Sequence, residues 1–92
     1  MSSGLTFTVE TLRVISLFLG GGRLAGYDVC RATGLGASTV YPILNRLDRH
    51  AMLSSETERV DPSISERQPR ILYKLTENGS ARVTELRALL ST

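Results

Sequence analysis

Ser38, Thr39, Tyr41, Pro42, Asn45, Arg46 and Arg49 fall in one short stretch. Wound as a helix at about 100° per residue, they occupy one side and its flanks. The same winding sends Val40, Ile43, Leu44 and Leu47 to the opposite side, at the i, i+3, i+4, i+7 spacing of a buried stripe. The outward groups are hydroxyls, a phenol, an amide and guanidinium groups, with Asp48 the single acid at the edge. A solvated face needs only charge, whereas these donors and acceptors suit phosphate oxygens and the edges of nucleic-acid bases. Asn45 matches adenine; Arg46 and Arg49 match phosphate first and guanine second. Tyr41 has three readings: base contact, phosphate contact, or packing against a neighbouring element.

Other chemistries find few residues to work with. The chain has one histidine and one cysteine, so His50 and Cys30 cannot assemble the three or four ligands of a zinc site. Gly20-Gly21-Gly22-Arg23 lacks the form of a nucleotide-binding loop and reads as a linker. No enzyme, metal or cofactor is expected. A net charge of +2 permits a nucleic-acid partner without demanding one. All the basic residues except Lys74 are arginine, a bias that favours forked contacts to phosphate or guanine but also follows from genomic base composition. Cys30 has no internal partner and sits in an apolar pattern, which fits a reducing cytoplasm. The longest apolar run, residues 14–19, is interrupted by Ser16 and too short for a bilayer.

Positioning the outward side chains requires a scaffold, and 92 residues suffice for one small domain over 1–92. A first helix over 8–19 has Thr8 as N-cap and the triple glycine as its stop. It is apolar nearly all round: Val9, Leu12, Ile15 and Leu19 form one stripe, and Val14, Leu17 and Phe18 form a second on the other side. A helix that needs cover on two faces is either sandwiched inside the domain or shared with a partner subunit, and dimer contact through Val14, Leu17 and Phe18 is the sharper reading. A short helix over 24–33, the turn Gly34-Leu35-Gly36 and the helix over 37–50 make a helix-turn-helix. Pro42 leaves two starts open for that third helix. Either Thr39 is the N-cap, which places Pro42 in the first turn, or the helix begins at Gly36 or Ala37 and takes Pro42 with a local kink.

Strands over 53–59 and 70–75 flank a polar loop, and Ile71, Tyr73 and Leu75 alternate with Arg70, Leu72 and Lys74. Such a two-stranded antiparallel wing offers Arg59, Arg67 and Arg70 to a nucleic-acid backbone, though Glu56, Glu58, Asp61 and Glu66 dilute the field and a solvated loop is the alternative. A last helix over 76–90 opens at Thr76, with Leu86, Leu89 and Leu90 as further candidates for dimer contact. The fold class is therefore mainly α with a small β-wing, a winged helix-turn-helix.

Two blocks now resemble the PadR family of transcriptional regulators. Gly26-Tyr27-Asp28-Val29 with Thr39-Val40-Tyr41-Pro42-Ile43-Leu44-Asn45-Arg46-Leu47 is similar to the family's G-Y-[DE]-[IL] and T-[LV]-Y-P-x-L-x-R-L. Residues 67–79, from Arg67-Gln68-Pro69-Arg70 through Tyr73 to Leu75-Thr76-Glu77-Asn78-Gly79, are similar to its R-x-P-R-x-x-Y-x-L-T-x-x-G. The resemblance implies a homodimeric repressor that lays its third helix in the major groove of double-stranded DNA, with Ser38, Thr39, Tyr41, Asn45 and Arg46 at the DNA. It implies a cytoplasmic protein, bacterial or phage-encoded, held on the nucleoid when bound. Where the family usually has glycine after this helix the chain has Ala51, so a different exit geometry is expected. The short C-terminal arm is expected to shift dimer contact onto the first helix. Some relatives sense flat aromatic compounds through tryptophan, and this chain has none. An architectural or recombination-directionality factor uses the same fold on DNA. A protein-docking winged helix would instead show large apolar groups on the outer face.

Overall fold

The computed structural model describes residues 7–59 and 68–90, excluding the side chain of Leu90. Four helices and three strands follow in the order α1 (Val9–Ser16), β1 (Leu24–Ala25), α2 (Gly26–Thr33), α3 (Ala37–Arg49), β2 (Leu53–Thr57), β3 (Ile71–Leu75) and α4 (Glu77–Leu90). The chain is a winged helix-turn-helix, mainly α with an antiparallel β-wing.

α1 starts where the Thr8 hydroxyl accepts the Thr11 amide at 3.1 Å, satisfying one of the orphan donors of a helix start. It stops at Ser16, three residues before the expected end. Residues 17–19 instead tighten into i→i−3 bonds, Leu17 to Val14, Phe18 to Ile15 and Leu19 to Ser16, before the glycines turn away. The inward face also differs from the expected one. Thr11, Val14, Ile15 and Phe18 are buried, whereas Val9 is 70% exposed and Leu19 39%. Val14 and Phe18 therefore belong to the chain's own core and are not available to a dimer partner. Both sides of α1 are apolar, so hydrophobicity alone carries no contrast, and packing into the shared core decides the face.

Residues 24–25 form a strand rather than the start of the second helix. Leu24 pairs with Tyr73 and Ala25 with Leu72, giving a three-stranded sheet in the order β1-β3-β2 instead of the expected two strands. Two residues are too few for a period to show in sequence. α2 begins as the Asp28 carboxylate reaches back to the Ala25 amide at 2.9 Å, and ends at Gly34 in the left-handed region. Arg13 on α1 donates to the Thr33 carbonyl at 2.5 Å, a cation where the helix dipole is negative.

α3 runs unbroken from Ala37, capped by Gly36, so the earlier of the two possible starts is the one adopted. Pro42 is interior and takes no bond from its own nitrogen, which leaves the Ser38 carbonyl without its usual helical donor. The cost, about 3 kcal/mol, is outweighed by burying Val40, Ile43, Leu44 and Leu47, which stabilises by roughly 1.5–3 kcal/mol for each side chain. The helix closes in a Schellman motif: Ala51 N–H bonds Asp48 at 3.0 Å and Met52 N–H bonds Leu47 at 2.9 Å. Buried Met52 and Leu47 supply the apolar contact that accompanies it.

β2 and β3 pair from Leu53↔Leu75 to Thr57↔Ile71, and the Glu58 amide to Arg70 carbonyl bond at 2.7 Å carries the ladder one step further. Tyr73 faces the core, which also holds Val29, Leu53 and Val83. Along α4, Gly79 and Val83 are buried, Leu86 half-buried and Leu89 65% exposed. Its outer turns thus stand clear of the core.

Candidate nucleic-acid interface

One side of α3 is sealed in the core and the other is open. Ser38, Tyr41, Pro42, Asn45 and Arg49 are exposed, with Thr39 and Arg46 half-buried at the flanks. Pro42, Asn45, Arg46, Asp48 and Arg49 line a shallow groove along the outer face. Among the described residues neither Arg46 nor Arg49 has an ion pair, and the Asn45 amide has no hydrogen-bond partner. The acid at the edge is engaged elsewhere: Asp48 accepts the Ser55 hydroxyl of β2 at 3.1 Å, which points part of its charge toward the sheet.

Tyr41 leans off this face. Its ring lies against the Cα of Gly26, so closely that a Cβ there would overlap the ring edge. The phenol thereby marks one wall of a cleft of about 340 Å³ bounded by Ala25, Gly26, Tyr27, Asn45, Arg70, Ile71 and Tyr73. Tyr73 forms its floor. Burial, then the nearby charge of Asp48, then Tyr41 push the Tyr73 phenol above its ordinary value.

The wing arginines differ from one another. Arg59 is exposed with no partner among the described residues, and Arg67 lies outside them. Arg70 is tied: its Nη2 meets Glu58 Oε2 at 3.1 Å and its Nη1 lies 3.9 Å from Asp28 Oδ2. In the sequence Glu58 only dilutes the basic field. The ladder gives it a partner, because the register that pairs Thr57 with Ile71, carried on by the Glu58 amide to Arg70 carbonyl bond, sets Glu58 opposite Arg70. Arg23 is neutralised by Glu56 at 2.8 Å, and Arg31 stacks over the exposed Tyr27 ring at 5.7 Å.

Of the residues expected at a dimer interface, Val14 and Phe18 are core and Leu17 packs partly against it. Leu86 and Leu89 lie on the open part of α4, and the Leu90 side chain lies outside the described residues. No helix among the described residues is long and apolar enough to cross a membrane. No group of three or more His, Cys, Asp or Glu among them is placed to hold a metal ion.

Residues 28–85 match the model of the transcriptional regulator PadR-like family. The chain belongs to that family. It is a family of transcription regulators, not enzymes. No curated protein sequence matches the chain. Solved structures do. Bacillus subtilis PadR in complex with operator DNA superposes with a TM-score of 0.73 at 20% identity, covering 86% of this PadR-like chain and 46% of that protein. A PadR-family regulator from Eggerthella lenta gives 0.71 at 24% identity, over 91% of this chain and 72% of that one. A PadR-like transcription factor from Bacteroides fragilis gives 0.76 at 25%, over 90% and 80%. The chain thus spans under half the length of the B. subtilis protein.

Proposed function

We propose that this chain is a sequence-specific DNA-binding transcriptional regulator, a homodimeric repressor that acts on a palindromic operator in the cytoplasm. The observation that carries the reading is the outer face of α3, where Asn45, Arg46 and Arg49 have no partner among the described residues, on a helix whose other side is buried. A relative of the same fold was solved on operator DNA, which supports the same use here. α3 enters the major groove: Asn45 reads adenine, Arg46 and Arg49 take guanine or phosphate, and Ser38 and Thr39 bond phosphate at the positive end of the helix. Arg59 and Arg70 serve the adjacent backbone, and Arg67, outside the described residues, is the third candidate for that role.

Two subunits would read half-sites about 34–36 Å apart. With Val14 and Phe18 committed to the core, the dimer contact falls to Leu86 and Leu89 on α4.

Titration of labelled DNA across a salt series tests the reading. Affinity should fall steeply with salt, and Arg46→Ala with Arg49→Ala should weaken binding and lower the salt slope by about one per lost phosphate contact, with the fold intact. Selection of bound sites from random DNA should return a palindrome. Binding that is absent from every pool, or indifferent to salt, would overturn it.

A further inference from the structure

Arg70 lines the cleft that also holds Tyr41 and Asn45 of α3, yet in the free protein it is not a free cation. Glu58 holds it from the facing strand at 3.1 Å and Asp28 approaches it from α2 at 3.9 Å. The Glu58 side chain is only 16% exposed against 42% for Arg70, so the carboxylate is shielded while the guanidinium keeps an open side. That side borders the cleft with Tyr27, Tyr41 and Asn45, at the margin of the α3 face. Among the described residues both of these acids meet the one guanidinium, which offsets its charge where a phosphate would approach. The two acids differ in how they are placed: Asp28 also caps the α2 backbone at Ala25, whereas Glu58 meets Arg70 from a position on the wing that opposes it in the ladder.

We propose that Glu58 limits DNA affinity: it holds Arg70 across the wing and competes with phosphate for the same guanidinium. A phosphate must displace or share the Glu58 contact, so non-specific DNA is held weakly and tight binding waits on the contacts of α3. The device rests on the DNA-binding reading above, and its chemistry is an exchange of one charge-assisted hydrogen bond for another.

The test compares the whole chain with Glu58→Gln, Arg70→Ala and the double variant, on selected-site and random duplex DNA across a salt series, with thermal melting to confirm folding. Glu58→Gln should bind random DNA about two- to fivefold more tightly at low salt, the range set by a partly exposed ion pair. Its salt slope should steepen by about one. Random DNA should gain more than the selected site, and the gain should vanish in the Arg70→Ala background. A merely structural Glu58 would lower the melting temperature and leave the slope alone. Unchanged or weaker binding by Glu58→Gln, or a gain that survives without Arg70, overturns the proposal. Failure of the unsubstituted chain to bind any DNA would instead strike the DNA-binding reading itself.

Discussion

The Thr76 hydroxyl donates a 2.6 Å hydrogen bond to the carbonyl oxygen of Ala51 and receives the Gly79 amide at 2.9 Å. One side chain therefore caps α4 and fastens it to the end of α3, the helix whose outer face is the candidate DNA reader. The Thr76 amide adds a 3.1 Å bond to Met52, so the junction is tied by backbone as well.

Thr76→Val should cost about 1–2 kcal/mol, the usual loss for an N-cap with an added buried tie. Thr76→Ser should restore most of it. Urea denaturation of both variants checks the claim, and equal midpoints for Val and Ser would refute it.

Ala51 adopts φ 59°, the only positive φ among the described residues other than glycine. The expectation that alanine suits this helix end poorly is met by strain and not by a different exit, because the Schellman bonds are made. Ala51→Gly should stabilise by about 1 kcal/mol, the left-handed penalty removed less the entropy glycine adds to the unfolded chain. Ala51→Val should destabilise, since a β-branched residue tolerates that region least. Melting temperatures in the order Gly above Ala above Val are the expected result.

Gly79 and Gly26 are both in close approaches, but to different partners. A Cβ at Gly79 would overlap the backbone carbonyl of Met52, which cannot swing away. At Gly26 it would meet the end of the Tyr41 ring, which can. Gly79→Ala should cost over about 2 kcal/mol, at the upper end of ordinary single substitutions. Gly26→Ala should cost less and act on DNA binding through a displaced Tyr41. Paired denaturation and DNA titration of the two variants separates these effects.

Tyr73 provides an alkaline signature. Its folded value is raised, so the native state holds the phenolic proton more tightly than the unfolded chain does. The contribution is complete below about pH 10, the unfolded value, and is lost as pH rises through the folded one. Melting temperature followed from pH 8 upward should fall above about pH 10, and Tyr73→Phe should flatten that fall. An unflattened curve would place the transition elsewhere.

Residues close in sequence were the readable ones. The two faces of α3, the glycine turn at Gly34 and the Thr76 cap all follow from spacings under one or two helical turns, where 3.6-residue periodicity and capping chemistry act without help from the rest of the chain. Arg46 and Arg49 were placed outward by the same rule. Arg70 was recognised as a wing cation, but its two acidic partners were not, since Asp28 is remote in sequence and Glu58 is fixed only by strand register.

By itself the sequence determined the polar face of α3, the apolar stripe behind it and the order of elements that makes a winged helix-turn-helix. Tertiary structure decided which side of α1 enters the core, since Val14 and Val9 are equally apolar and only burial against the other elements distinguishes them. It likewise recruited Leu24 and Ala25 into the sheet, carried α3 through Pro42 and held Ala51 in a strained conformation. Each of these outcomes costs or lacks local free energy and is settled by burial and pairing between segments far apart in the chain, which no short window of sequence contains.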